Sequence, residues 1–300
     1  MLHKKDIENF FRELQDEICN GLQKADGKSV FEEDLWERPE GGGGRTRVIR
    51  NGNIFEKGGV NFSAVYGPCP EFLRKEAGIP ENEKIDFFAS GVSIVIHPNN
   101  PFVPIIHMNV RYFEAGNLQW FGGGIDLTPH YIDEGDAHYF HSQLKRVCDA
   151  HNPLYYAEFK KWADEYFFIK HRNETRGIGG IFFDRLTATP EISLEQRFDF
   201  VKDVGLAFLI CYLPLVEKSR KKAFTEENKK WQLLRRGRYA EFNLVYDRGT
   251  KFGLFTNGRV ESILMSLPPM ASWEYDYKPS GNSLENNTLR ILKQVNTWGI

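Results

Sequence analysis

The sequence predicts an α+β fold, a large antiparallel β-sheet with helices packed against it in a single domain spanning residues 1–300. Two observations carry this expectation. The first half of the chain alternates apolar and polar residues over short stretches broken by Gly, Asn and Pro, whereas the second half shifts to apolar spacings of three and four. No internal repeat, linker or low-complexity segment divides the chain beyond the short run Gly41 to Gly44. A chain of 300 residues is long for one domain, but large sheets with helices packed on them reach this size.

The elements follow in order. In "MLHKKDIENFFRELQDEICNGLQ", Ile7, Phe10, Phe11, Leu14, Ile18 and Leu22 recur at helical spacing between charged residues. "RPEGGGGRTRVIRNGNIFEKGGVNFSAVYG" reads as a glycine-rich loop, a strand, an Asn-Gly turn, a strand, and a further strand near Val60 to Tyr66. "FFASGVSIVIHP" and "PIIHMNVRYFEAG" are strands joined by a Pro/Asn loop, with "LQWFGGGIDLTP" next. From Asp133, the stack Ala137, His141, Leu144 and Cys148 marks a helix, and a second runs from about Leu154 to His171. "GIGGIFFDRL" is a strand, and Ser193 caps a long helix to about Ser219. "GRYAEFNLVYDRGTKFGLFTNGR" reads as a hairpin, and "ESILMSLPP", "WEYDY" and a short helix close the chain.

With 39 basic and 41 acidic residues the formal charge is -2, so no global field recruits nucleic acid or an anionic membrane. Cys19, Cys69, Cys148 and Cys211 lack the spacings of iron–sulfur or zinc-ribbon sites and fit a reducing compartment. Without a signal-like N-terminus or a long apolar run, the chain is expected to be cytoplasmic, with no transmembrane segment. Its 24 Phe, 12 Tyr and 6 Trp suit a thick core or a large flat apolar ligand.

The stretch "IIHMNVRYFE" has two unlike faces. Ile106, Met108, Val110 and Tyr112 suit a core; His107, Asn109, Arg111 and Phe113 fall on the other parity. Ser93 and His97 share a parity in the preceding strand, so if the two strands pair, one sheet face gathers five polar groups. This is either a wet face or the floor of a site. His97, His107, His141 and His171 are numerous enough for a divalent cation, yet no HxH or HxxxH pair joins them, and satisfied histidines fit equally. Asp184, beside Phe182, Phe183 and Leu186, is a candidate acid or base or one half of a salt bridge with Arg185 or Arg176. "GGGIDLTP" and "GGGG" are not phosphate loops, since neither leads into GK[ST]. Arg235, Arg236, Arg238, Arg248 and Arg259 are interrupted by Glu241, Asp247 and Glu261, which suits discrete carboxylate recognition better than nucleic acid.

Taken together, "GVSIVIHP", "HMNVRYF", "WFGGGIDLTP", "KHRNETRGIGGIFFD", "RRGRYAEFNLVYDRGTKFGL" and "ESILMSLPP" with "WEYDY" closely resemble the oxygen-dependent coproporphyrinogen III oxidases, in the same order from first helix to last. The resemblance implies a homodimer whose large antiparallel sheet is flanked by helices on both sides. It implies oxidative decarboxylation of two propionates of coproporphyrinogen III to vinyl groups, using dioxygen and no organic cofactor, with release of carbon dioxide and hydrogen peroxide. By matching position it makes Ser93, Asn109, Arg111, Asn257, Gly258 and Arg259 substrate-binding and His107 a proton donor. It also makes Asp184 a carboxylate that engages pyrrole nitrogens. His97, His107, His141 and His171 match positions assigned to a divalent cation in bacterial members, while other members are described as metal-free. The segment from Tyr239 to Glu274 matches a dimerisation region. Asn257 stands where many members have glycine, and Asn tolerates positive φ. A non-catalytic porphyrin or haem carrier would share the aromatic cavity but not require His107, Asn109, Arg111 and Asp184 together. A four-histidine metal-dependent oxygenase is the other alternative, and the missing cysteine cluster excludes the radical-type oxidase.

Overall fold

In the computed structural model, residues 2–69, 71, 74, 80, 85–255, 258–294 and 298 are described. Helix α1 (Lys4–Asp26) precedes six strands, β1 (Glu32–Glu37), β2 (Gly42–Arg50), β3 (Phe55–Pro68), β4 (Asp86–Pro98), β5 (Ile105–Ala115) and β6 (Leu118–Thr128). Helices α2 (Glu134–His151) and α3 (Tyr155–Tyr166), the short β7 (Phe168–Ile169) and β8 (Glu174–Thr175), and β9 (Gly179–Leu186) follow. The chain then runs through α4 (Leu194–Ser219), α5 (Glu226–Val245), α6 (Arg248–Phe255), α7 (Val260–Leu264) and α8 (Leu284–Leu292). The long strands form one antiparallel seven-stranded sheet in the order β1-β2-β3-β4-β5-β6-β9, a meander with a single late addition.

The two faces are divided by strand parity. Val60, Phe62, Val92, Ile94, Ile96, Ile106, Met108, Val110, Phe121 and Ile125 turn to one side and form the main core. Onto them α1 lays Ile7, Phe11, Leu14, Ile18 and Leu22, and α4 lays Phe198, Val201, Val204, Phe208 and Tyr212. Ser193 starts α4 with a capping box, its hydroxyl accepting from Gln196 N while Gln196 reaches back to Ser193 N. Pro214 inside α4 cannot donate to the Ile210 carbonyl, and Tyr139 of α2 takes that acceptor at 2.9 Å. All four cysteines are buried and none is in a disulfide; burial pushes the thiols of Cys19, Cys148 and Cys211 up to about 12.

Several boundaries differ from expectation. Gly42 to Gly44 begin β2 rather than forming a loop, and the two strands expected around Val60 are one, β3. The helix expected to reach His171 ends at Tyr166. The hairpin expected over residues 237–259 is instead the end of α5 followed by α6. The reason is that α5 buries polar residues: Trp231, Gln232, Leu234, Arg235, Arg236, Tyr239, Phe242 and Asn243 form its inner face. With guanidinium groups in the buried stripe, the apolar residues left visible in the sequence alternate as in a strand.

Asp26 fastens the end of α1 to the β2–β3 turn. Its carboxylate accepts from the backbone N–H of Ser29 (3.0 Å), Asn53 (3.1 Å), Ile54 (2.8 Å) and Phe55 (3.0 Å). Burial alone would raise its pKa; these donors outweigh that and hold it below the ordinary 3.8. Asp26→Ala, which strands several buried donors, is expected to cost about 2 to 4 kcal/mol in chemical denaturation at neutral pH. Because the folded-state pKa is the depressed one, the gap between parent and variant should hold above pH of about 4 and narrow as the pH falls through the folded value. A gap that stays constant down to pH of about 3 would refute this role.

Candidate active site

The face opposite the main core carries three rungs of side chains across the sheet. One runs Thr46, Asn61, Ser93, Asn109, Gly124, Phe182 through paired positions of β2, β3, β4, β5, β6 and β9. On one side of it lies Gly44, Ser63, Gly91, Arg111, Gly122; on the other lies Val48, Gly59, Val95, His107, Asp126, Gly180. The expected pairing of the two central strands is therefore present, with Ser93 opposite Asn109 and Val95 opposite His107. Ser93, His107, Asn109, Arg111 and Asp184 are all partly exposed on this floor. Gly91, Gly122 and Gly124 leave it without side chains between them. A Cβ on Gly91 would come within 2.5 Å of the Val110 carbonyl, so this position takes only glycine.

Asp184 reaches the floor through a bulge. Phe121 pairs with Leu186 and Gly123 with Phe183, so Asp184 and Arg185 together face the single residue Gly122, and Arg185 adopts φ 52°. The extra residue turns Leu186 back to the main core and leaves Asp184 beside Arg111. Arg111 Nη2 donates to Asp184 Oδ1 at 2.8 Å and Nη1 to Asn109 Oδ1 at 2.7 Å. The partner of Asp184 is thus Arg111, neither Arg185 nor Arg176. Such a half-exposed pair can exchange its internal bond for one to a ligand carboxylate at little cost.

His107 and Asp126 face each other across β5 and β6, with Nδ1 and Oδ1 2.7 Å apart. The other oxygen of Asp126 accepts from Arg176 Nη2 at 2.7 Å, and Arg176 Nη1 donates to Asn243 of α5 at 2.9 Å. The Arg176 guanidinium lies 4.4 to 4.7 Å from the ring centroids of Phe167, Tyr239 and Phe242. Asp126 is fully buried: desolvation raises its pKa, but Arg176 and then His107 overcome this and hold it below its ordinary value. Asp126 and Arg176 are functional candidates the sequence reading missed. Their signal was there: Asp126 continues the parity of Gly122 and Gly124, so it could only face the same side.

Aromatic groups close both ends of the floor. Phe87, Phe113 and Trp120 stack at successive centroid distances of 6.3 and 5.3 Å at one end, where Arg111 lies 5.7 Å from the Trp120 ring centroid. Phe167, Phe182 and Phe242 gather at the other. The turn bearing Gly258 and Arg259 is tied to the floor's edge. Arg259 donates to Ser262 Oγ at 2.9 Å and pairs with Asp34 of β1, while the Ser262 hydroxyl meets Thr46 Oγ1 at 2.9 Å and its carbonyl accepts from Asn61 at 2.9 Å. Asn257 lies outside the described residues.

The four histidines expected as a group are not brought together. His97 is buried, its Nε2 2.9 Å from the Ser266 carbonyl. His141 sits within the helix-side core, between the Ile178 carbonyl at 2.9 Å and the Tyr156 hydroxyl at 3.0 Å. His171 contacts Glu241 at 2.7 Å and the Tyr246 hydroxyl at 2.8 Å. Only His107 stands on the open floor. Among the described residues, no group of three or more His, Cys, Asp or Glu could hold a metal ion.

A family profile described as coproporphyrinogen III oxidase matches residues 6–298. The chain belongs to the coproporphyrinogen III oxidase family. Curated relatives named oxygen-dependent coproporphyrinogen-III oxidase include one from Prochlorococcus marinus, 48% identical over 97% of this chain and 91% of its own length. A Drosophila melanogaster relative is 50% identical over 99% of this chain and 78% of its own, and a Glycine max relative, named as chloroplastic, is 50% identical over 97% and 78%.

Gly122 tests the floor directly. A Cβ there would lie 2.5 Å from Asp184 Oδ1 and 3.0 Å from Arg111 Nη2, atoms at the ends of side chains that can swing away. Gly122→Ala is expected to change stability by less than about 1 kcal/mol while lowering kcat/KM about 10- to 100-fold by displacing the Arg111–Asp184 pair. Unchanged turnover by the variant would remove that pair from the site.

Proposed function

We propose that this protein converts coproporphyrinogen III to protoporphyrinogen IX by oxygen-dependent oxidative decarboxylation, in haem and porphyrin biosynthesis. The observation that supports it, beside family membership, is the Arg111–Asp184–Asn109 group standing on a glycine-bare floor between two aromatic ends. A porphyrinogen is a wide apolar macrocycle with four carboxylates, so it needs a broad floor and a few placed cations rather than a basic surface. At each reacting propionate the carbon attached to the pyrrole loses a hydrogen with its electron pair, and the carboxylate leaves as carbon dioxide. Dioxygen takes that hydrogen with its two electrons and, with one further proton, becomes hydrogen peroxide. The tetrapyrrole supplies the electrons, so dioxygen is the co-substrate and no organic cofactor is required.

Arg111 binds a propionate by exchanging its bond to Asp184, which frees that carboxylate to accept pyrrole N–H groups. Ser93, Asn109, Gly258 and Arg259 hold further polar edges of the substrate, a role we also assign to Asn257. His107 supplies the proton. The imidazoles do not fit a divalent cation held by one chain, because both ring nitrogens of His141 and His171 already have protein partners.

The homodimer is part of the same proposal. The segment from Tyr239 to Glu274 lies in α5, α6, α7 and the chain after them rather than in strands, yet it still leaves Leu244, Val245, Leu254, Phe255, Val260, Met270 and Trp273 exposed. An apolar surface of that kind suits a partner subunit. Among the described residues no helix is long and apolar enough to cross a membrane, and a cytoplasmic location is our proposal for this chain.

Two measurements test the reading. The purified protein should form vinyl groups from coproporphyrinogen III in air and none under strict anaerobiosis; tight binding without turnover in air would instead make it a carrier. In the same assay Arg111→Ala should lose a charge-assisted bond of roughly 1.5 to 3 kcal/mol, about tens to hundreds of times in kcat/KM, with Arg111→Lys recovering only part. Light scattering should give twice the chain's 34.8 kDa at micromolar concentration, and a single-chain mass would reject the dimer.

A further inference from the structure

Asp126 is placed where a carboxylate could act on the reaction without touching the substrate. It stands opposite His107 on the site face, only 1% exposed, with each oxygen committed: Oδ1 to His107 Nδ1 and Oδ2 to Arg176 Nη2, both at 2.7 Å. An ionised carboxylate can only accept hydrogen bonds, and an arginine does not give up its proton, so both neighbours must donate. The hydrogen on His107 is therefore at Nδ1. His107 Nε2 has no hydrogen-bond partner among the described residues, and the ring is 21% exposed on the floor. That nitrogen is the one through which a proton can be exchanged with a ligand.

Arg176 fixes the other end. Its guanidinium is buried among three aromatic rings and held by Asn243, so Asp126 cannot rotate away from it without stranding a buried charge. Asn243, Arg176, Asp126 and His107 thus form one line from α5 to the open floor. A carboxylate placed only to neutralise Arg176 would have no need to point its second oxygen at the single histidine on the floor.

We propose that Asp126 is a positioning residue for the reaction: it holds His107 with Nδ1–H on the carboxylate and Nε2 toward the floor, and it stabilises the imidazolium formed when Nε2 takes a proton from solvent, so that Nε2 then delivers that proton to complete hydrogen peroxide. The inference rests on His107 being the proton donor in the proposed function. It makes His107 and Asp126 one unit, in the way a buried carboxylate orients the histidine of a serine-hydrolase triad.

The test combines a spectroscopic reading with kinetics. In protein labelled with 15N-histidine, long-range proton–nitrogen correlation should show His107 protonated at Nδ1 in the parent. In Asp126→Asn, where the carboxamide can present N–H to the ring, the Nε2–H form should appear. With coproporphyrinogen III, Asp126→Asn should lower kcat about 100-fold or more and leave KM within about threefold, and Asp126→Glu should recover part of the loss. Placed on a His107→Ala background, Asp126→Asn should add little further loss, because its effect passes through the absent ring. A neutral parent His107 carrying its hydrogen at Nε2 alone overturns the proposal even if the Asn variant does not fold. So does a folded Asn variant in which KM moves and kcat does not. The tautomer reading needs no substrate: Nδ1–H in a protein that does not turn over coproporphyrinogen would sink the functional reading and leave the Asp126–His107 pair standing.

Discussion

The two-residue period of an antiparallel strand is the constraint on which this molecule depends. Strands β3 to β6 must supply a dry face to α1 and α4 and a working face to a ligand, and neighbouring residues on one strand serve opposite purposes. Ile106, Met108 and Val110 cannot slip by one place without exchanging positions with His107, Asn109 and Arg111. Registry is thus enforced by the core, at no cost to the site. At the bulge opposite Gly122 the register is broken so that Leu186 returns to the core while Asp184 stays beside Arg111.

The second face is covered at one end by a different kind of contact. Helix α5 docks through buried ion pairs as well as apolar packing: Arg235 meets Glu174 and Arg236 meets Glu56, each at 2.6 Å, and Asn243 meets Arg176. Against apolar residues of the same volume, buried pairs of this type contribute little net stability, whereas removal of one partner costs about 3 to 5 kcal/mol. Their effect is to allow one placement of α5 against the sheet. Since α5 carries Asn243, Tyr239 and Phe242 to Arg176, that placement also decides where Asp126 and His107 stand.

This accounts for what could be read from the sequence. The sheet, its core parity and the floor residues Ser93, His107, Asn109, Arg111 and Asp184 were legible because each follows from alternation within a strand. Helices α1, α2 and α4 were legible from apolar stripes and, at Ser193, from a cap. Strand β1 was missed because "EEDLWE" is an exposed edge with no buried face to produce alternation. Helix α5 was misread because two of its buried positions are arginines whose partners lie far away in sequence. For the same reason Arg176 was noticed only as a possible partner for Asp184; nothing local shows that it belongs to Asp126, 50 residues away. The four histidines illustrate the converse: number alone suggested a common site, and their partners place them in different surroundings.

Glycine within a strand costs conformational entropy and forgoes cross-strand packing, so Gly91, Gly122 and Gly124 on two strands that flank β5 weaken the sheet at its centre. On the opposite face β4, β5 and β6 carry Val92, Val110, Phe121 and Ile125, the residues expected of a stable sheet. The loss is therefore confined to one face, and there to the area between Arg111, Asn109 and Phe182. A site for a small carboxylic acid would have no use for so wide a bare surface. A wide macrocycle would, because any Cβ rising from the floor would hold it away from Arg111 and His107.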